Sequence, residues 1–260
     1  MTRRYARHLA ECGAGSSGDR VPPLLPGVCQ VWWARLDDVR PEHDGLLAPA
    51  DLERRSRFTQ PADRQRCTVA TAVVRVVLGA HTGVLPASLE IDRTCPRCGG
   101  QDGKPRLPAA PDLHFSVSHS GRWVTVAVLQ DRPVGVDVEQ VGRVDAAELA
   151  WVADWILAPE ERAELAWLPA AHRADAFTTY WTRKEAVVKA TGAGIGIPLH
   201  RLVVSPPSSP ARVLRWDGVT ECLTLHELRP PRGFAGALAV VGDGPVRLHE
   251  WDAGPILHDL

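Results

Sequence analysis

Apolar positions fall into short runs and helical stripes along this chain. The run VCQVWWARL (28–36) predicts a strand. Pro49-Ala50-Asp51 before LERRSRF predicts a helix start with Asp51 as its cap. Apolar residues at 69, 73, 76 and 77 predict a longer helix over 62–79, ended by Gly79 or Gly83. Residues 94–111 read as loop. Strands follow near Leu113–Val117 and Trp123–Leu129, joined by SHSGR, and then at 133–140, PVGVDVEQ. Asp145 and Glu148 have capping-box spacing for a helix to about Leu157. Pro159 opens another helix to Leu168. Ala174 to Thr191 is a strong helix stopped by Gly192. The remainder is strand-like: RLVVS, ARVLRW, CLTLHEL, GALAVVG and PVRLHEW, with PPSSP as a surface loop. Helices and strands do not alternate strictly, which predicts an α+β fold. Residues 1–20 end in CGAGSSGD and read as a flexible N-terminal arm.

Composition narrows the function classes. Lys+Arg 30 against Asp+Glu 31 leaves a net charge of -1, which argues against retention on nucleic acid or a membrane by bulk positive charge. The stretch from Phe234 to Val241 is eight residues long, far short of the roughly 20 a spanning helix needs. No apolar run follows Arg3, Arg4 and Arg7, so a secretory signal is not expected. Six cysteines are too few for a disulfide scaffold, and reduced thiols in a cytoplasm are the expectation. Of the 30 basic residues only three are lysines: Lys104, Lys184 and Lys189. An ammonium is a compact, strongly hydrated charge, and retained lysines point to sites where a guanidinium does not substitute.

Those lysines lie in the segments that carry chemistry. On a strand, PVGVDVEQ sends Gly135, Asp137 and Glu139 to one face and the valines to the other. Its two carboxylates, about 7 Å apart by strand rise, repel and call for a cation. Oxygen ligands of this kind suit Mg²⁺, and a solvated edge face is the plain alternative. On the helix YWTRKEAVVKATG, Phe177, Trp181, Lys184 and Val188 follow one stripe, while Trp181, Glu185 and Lys189 follow another. Glu185 and Lys189 have the order of a surface ion pair. They also offer a carboxylate one turn from an ammonium able to hold phosphate.

Ser116, Ser118, His119 and Ser120 sit at a strand-to-turn junction. Adjacent Ser and His point to opposite faces there, and no G-x-S-x-G elbow exists, so a serine nucleophile is disfavoured. His119 suits an anion contact. Lys104, between Gly103 and Pro105, reads alone as a turn residue. Most of Arg54, Arg55, Arg57, Arg64, Arg66 and Arg75 read as solvated helix faces, and a few suit an anion site because guanidinium matches phosphate geometry. Cys95-Pro-Arg-Cys98 is half a zinc site or a redox pair, and no second C-x-x-C completes it.

The order of these pieces is more specific than any one of them. GKP, then FSVSHSGRW, then GVDVE, then WTRKEAVVK resembles the 4'-phosphopantetheinyl transferases, in particular the monomeric, broad-specificity Sfp-type group. The resemblance runs from about Asp51 to Val204. It implies two similar α+β halves, 21–133 and 134–260, forming an intramolecular pseudo-dimer with the active site at their interface. It implies transfer of the 4'-phosphopantetheine arm of coenzyme A to a serine of an acyl or peptidyl carrier protein, releasing adenosine 3',5'-bisphosphate. Carriers of polyketide and nonribosomal peptide biosynthesis are the implied partners, and a cytoplasmic monomer the implied form. Asp137, Glu139 and Glu185 match the family's Mg²⁺ carboxylates, with Mn²⁺ as an alternative ion. Lys189 matches its pyrophosphate contact. Arg54, Arg66, Lys104, Ser118 and His119 match positions that hold the nucleotide and its 3'-phosphate. Glu185, or a water it holds, is the implied base, so Glu185, Lys189 and Asp137 form the expected catalytic set. Arg54 stands where many relatives have Lys, and Asp102 where many with a C-x-x-C have His, which weakens a zinc site. The alternatives are a Mg²⁺-dependent hydrolase of a coenzyme A-like nucleotide and a non-catalytic carrier-binding relative.

Overall fold

The computed structural model describes residues 21–258 except Ala146 and Ile195; the expected N-terminal arm lies outside the described residues. The chain is α+β and divides into two compact units, Met1–Asp131 with Pro245–Leu260, and Arg132–Gly244. Halves at 21–133 and 134–260 are therefore corrected at the C-terminus, where the last strand and helix return to the first unit.

In that first unit, β1 (Val28–Arg35), β2 (Leu113–Ser120), β3 (Trp123–Gln130) and β9 (Arg247–Asp252) form one sheet in the order β2-β3-β1-β9. β9 runs parallel to β1, pairing Val28 with Arg247 and Trp33 with Asp252. Trp33 Nε1 donates to Glu250 at 2.8 Å across this seam. The long helix α2 (Pro61–Thr82) lies on the sheet. Its Val69, Val73 and Val77 are fully buried against Trp32, Phe115, Val124 and Val126, with Ile256 and Leu257 of α6 (Gly254–His258) closing the core. Gly83, at φ 71, ends α2 in the left-handed conformation, settling the choice between Gly79 and Gly83.

Before it, α1 (Pro49–Ser56) starts one residue after Ala48, so Asp51 sits inside the first turn. Its carboxylate accepts the Ala48 N–H at 3.2 Å and the Arg75 Nε–H at 2.7 Å, and forms an ion pair with Arg75 Nη2 at 2.5 Å. Arg75 is buried and donates further to the carbonyls of Pro86 and Leu89. It is a structural arginine: an uncompensated charge at that depth would cost several kcal/mol.

In the second unit, β4 (Val134–Gln140), β8 (Phe234–Val241) and β7 (Leu223–Glu227) form an antiparallel sheet in the order β4-β8-β7. β5 (Leu202–Val204) and β6 (Val213–Trp216) make a separate hairpin. Helices α3 (Leu149–Ile156), α4 (Pro159–Trp167) and α5 (Ala170–Thr191) complete the unit, α5 beginning four residues earlier than its apolar pattern predicts. Phe177, Tyr180 and Val187 of α5 pack with Leu202, Val204, Ala237 and Ala239. No helix among the described residues is long and apolar enough to cross a membrane.

Candidate active site

The acidic cluster is built by one missing side chain. A Cβ on Gly135 would lie 2.1 Å from the Ala186 carbonyl oxygen and 2.2 Å from the Ala190 nitrogen. The backbone of α5 thus rests directly on β4, where any other residue would hold it off. Strand alternation then places Asp137 and Glu139 on the same face as Gly135, and helical spacing presents Glu185 and Lys189 one turn apart.

Asp137 is 2 % exposed and accepts a charge-assisted hydrogen bond of 2.6 Å from Lys189 Nζ. Lys189 and Glu185 are half-buried, as is Trp181 one turn earlier, so the i, i+4, i+8 stripe is the open edge of a helix otherwise well buried. Burial pushes the Glu185 carboxyl up, repulsion from Asp137 and Glu139 pushes it further, and Lys189 opposes both. Glu139, nearer solvent, pairs with Arg143 at 3.3 Å. Phe177 and Trp181, ring centroids 5.9 Å apart, line a cleft of about 290 Å³ beside Glu139, Arg143 and Val144.

This is an all-oxygen donor set with one ammonium, which by its chemistry suits a hard divalent cation. Among the described residues no group of three or more His, Cys, Asp or Glu side chains is arranged to hold a metal ion. The set fits such an ion by charge and donor type. Repulsion among Asp137, Glu139 and Glu185 is the feature a cation would relieve.

Lys184, next in sequence to Glu185, does something else. It is 0 % exposed, pairs with buried Glu161 at 2.6 Å and donates to the carbonyls of Leu199 and Leu202. Glu161 also accepts the N–H groups of Ala158 and Val204. Burial pushes the Lys184 ammonium down and the Glu161 carboxyl up, and their mutual attraction opposes both shifts. This pair ties α5 to α4 and β5. The apolar stripe hinted at a buried Lys184, while nothing in the spacing pointed to Glu161.

The five expected nucleotide contacts lie in the first unit. β2 runs through Ser120, and the connection to β3 is only Gly121-Arg122, shorter than the SHSGR link expected. Ser118 and His119 are therefore both on the strand and face opposite ways, Ser118 buried and His119 exposed. Arg66 donates from Nε to the Gly121 carbonyl at 2.9 Å and pairs with Asp63, tying α2 to that turn. Arg54 donates to Thr71 at 3.2 Å and lies 3.7 Å from Asp51. Sequence reasoning passed over Arg93, whose guanidinium burial pushes down to about 10, with Arg54 adding repulsion. Lys104 is half-buried, and burial pushes its ammonium down to about 8. His114 is lowered as well, chiefly by burial and then by Lys104. The structure thus gathers Asp137, Glu185 and Lys189 tightly, with Glu139 at the edge, while Arg54 and Arg66 each serve separate local contacts.

A strand whose glycine seats a helix thus brings acids from both elements together around one ammonium. Residues 133–239 match the 4'-phosphopantetheinyl transferase superfamily. The chain is 32% identical over 169 residues to a 4'-phosphopantetheinyl transferase of Bacillus subtilis, covering 63% of this chain and 69% of that one. It is 31% identical over 227 residues to the 4'-phosphopantetheinyl transferase HetI of Nostoc sp., covering 85% and 91%. Against the 4'-phosphopantetheinyl transferase Sfp of Bacillus subtilis strain 168 the figures are 29% over 160 residues, 61% and 66%. The chain belongs to the 4'-phosphopantetheinyl transferase superfamily and is an enzyme of that type.

Proposed function

We propose that this enzyme transfers the 4'-phosphopantetheine arm of coenzyme A to a serine of an acyl or peptidyl carrier protein. The serine oxygen forms a bond to the β-phosphorus, and the bond from that phosphorus to the bridging oxygen breaks. The departing group is adenosine 3',5'-bisphosphate. Such transfers leave the protein two tasks, positioning and charge neutralisation.

Asp137, Glu139 and Glu185 would hold Mg²⁺, which when bound neutralises pyrophosphate charge. Lys189 adds a positive point charge, and its bond to Asp137 fixes where that charge sits. The serine must lose a proton. Glu185, or a water it holds, lies on the open stripe of α5 and accepts it. By motif correspondence, Arg54, Arg66, Lys104, Ser118 and His119 hold the nucleotide and its 3'-phosphate.

The observation that carries this reading is the direct seating of α5 on Gly135, which brings Glu185 and Lys189 to Asp137. The test is intact mass spectrometry of an apo carrier protein incubated with enzyme, coenzyme A and Mg²⁺. One added phosphopantetheine, absent when the carrier serine is alanine, is the expected result. Cleavage of coenzyme A without carrier modification would replace transfer with hydrolysis.

A further inference from the structure

Cys95 and Cys98 lie outside the transfer chemistry. Cys98 is exposed, Cys95 is half-buried, and both are free thiols. The chain folds back tightly around them. Cys95 N–H donates to the Gly100 carbonyl at 2.7 Å and Gly99 N–H to the Cys95 carbonyl at 2.8 Å. Gly99, at φ 71, supplies the left-handed turn after Cys98. Within this loop the backbone N–H groups of Arg97 and Cys98 and the Cys98 thiol all donate to Cys95 Sγ. Both cysteines meet Gly100: its carbonyl accepts the Cys95 N–H, and Cys98 Sγ lies 3.4 Å from where its Cβ would be.

The loop is not isolated from the rest of the unit. Its base is the bridge between Asp92 and Arg106, reinforced by their 2.8 Å ion pair. Gly103 N–H donates to the Arg93 carbonyl at 2.8 Å. A Cβ on Gly103 would lie 2.8 Å from the Arg93 carbonyl oxygen and from both the nitrogen and Cα of Cys95. The backbone before Lys104 therefore lies flat on Cys95, with no side chain to absorb a shift.

We propose that Cys95 and Cys98 form a reversible thiol–disulfide site, oxidised by a low-molecular-weight disulfide, whose closure displaces Gly103 and with it Lys104. The Cys95 thiolate attacks one sulfur of the small disulfide, breaking its S–S bond and releasing one thiol. Cys98 then loses its proton and attacks Cys95 Sγ, releasing the second thiol. The protein loses two electrons and two protons, and the small disulfide gains them. The donors aimed at Cys95 Sγ hold its thiol down to about 7, which supplies thiolate at neutral pH. Closure removes the charge those N–H groups face and draws Cys95 toward Cys98. Its consequence for ligand binding rests on the transferase reading, in which Lys104 contacts the nucleotide.

The test uses the full chain in mixtures of reduced and oxidised glutathione, quenched with iodoacetamide. Trypsin cuts after Arg93, Arg97 and Arg106, so only a disulfide keeps Thr94–Arg97 joined to Cys98–Arg106. The joined pair is expected in oxidised glutathione and lost on reduction. The acylation rate of the Lys104 amine, read on the same peptide, should change by about fivefold or more on oxidation, with a matching change in coenzyme A affinity. Cys95→Ser should bind as the reduced protein does and lose the response. Separate peptides throughout, or joined peptides with an unchanged Lys104 rate, would overturn the proposal. Failure of coenzyme A to bind even the reduced protein would instead overturn the transferase reading, and the Lys104 rate would still decide the switch.

Discussion

Gly135→Ala is the sharpest perturbation of the site, because it adds one methyl group where two backbones touch. The new Cβ would meet Ala186 O at 2.1 Å and Ala190 N at 2.2 Å, against 3.4 Å for ordinary contact. Relief needs a movement of about 1.3 Å, the difference between 3.4 and 2.1 Å, and no side-chain rotation supplies it. Overpacking of this kind costs roughly 1–3 kcal/mol, a fall of roughly 2–4 °C in Tm per kcal/mol for a chain of this size. The same movement carries Glu185 and Lys189 away from Asp137. A displacement of about 1 Å in a positioned group costs on the order of 10²-fold in rate. The assay pairs thermal melting with initial transfer rates measured well below the new Tm. Gly236→Ala is the control on the neighbouring strand, since its Cβ would find Asp137 O and Leu228 Cβ at an ordinary 3.5 Å. The reasoning is refuted if Gly135→Ala melts and turns over like Gly236→Ala.

Asp137→Ala and Glu185→Gln should each abolish detectable transfer with the fold intact by circular dichroism, and near-normal rates in either would sink the acidic-site assignment. EDTA should stop transfer and added Mg²⁺ restore it; a rate indifferent to EDTA excludes the metal role. Lys189→Met should lose about 10²-fold or more in rate, with Lys189→Arg recovering only part because a guanidinium is not a point charge. Lys184→Met should instead cost roughly 3–5 kcal/mol of stability by stranding the buried Glu161 carboxylate, read by urea denaturation, and Lys184→Met with Glu161→Gln should recover part of it. Acylation of Lys104 should rise with pH about a midpoint near 8, where an ordinary lysine, at 10.5, is only roughly 0.3% neutral. Burial favours the neutral amine, so the folded state binds fewer protons than the unfolded one between about 8 and 10.5, and stability rises with pH across that window. A labelling midpoint near 10 would refute it.

Much of the site was legible because it is made of local periods. Strand alternation put Gly135, Asp137 and Glu139 on one face, and helical spacing put Trp181, Glu185 and Lys189 on one stripe. The structure keeps both arrangements, and that stripe is the half-open edge of α5. Residues 94–111 read only as loop, and the tight fold-back of Cys95 onto Gly100 within them carried no signal in the sequence. Partners distant in sequence were not visible. PVRLHEW reads as a strand, but nothing in seven residues says that it will run parallel to β1, more than 200 positions earlier. Glu161 is an unremarkable acid in PEERAEL until β5 brings the Val204 N–H to it.

The two lysines of α5 show where that boundary lies. Both belong to one helical motif, five residues apart, and composition alone marked both as unusual. Lys184 falls on the stripe of Phe177 and Val188, so it is drawn inside and must be neutralised by a buried acid and two carbonyls. Lys189 falls on the stripe of Trp181 and Glu185, so it stays half-open and pairs with Asp137 at 2.6 Å. The helical period therefore sets Lys184 among buried side chains and leaves Lys189 at the half-open edge. What the period could not supply was the distance from Lys189 to Asp137. That is set by a residue whose only sequence signature is the absence of a side chain, Gly135, because β4 meets α5 backbone to backbone there.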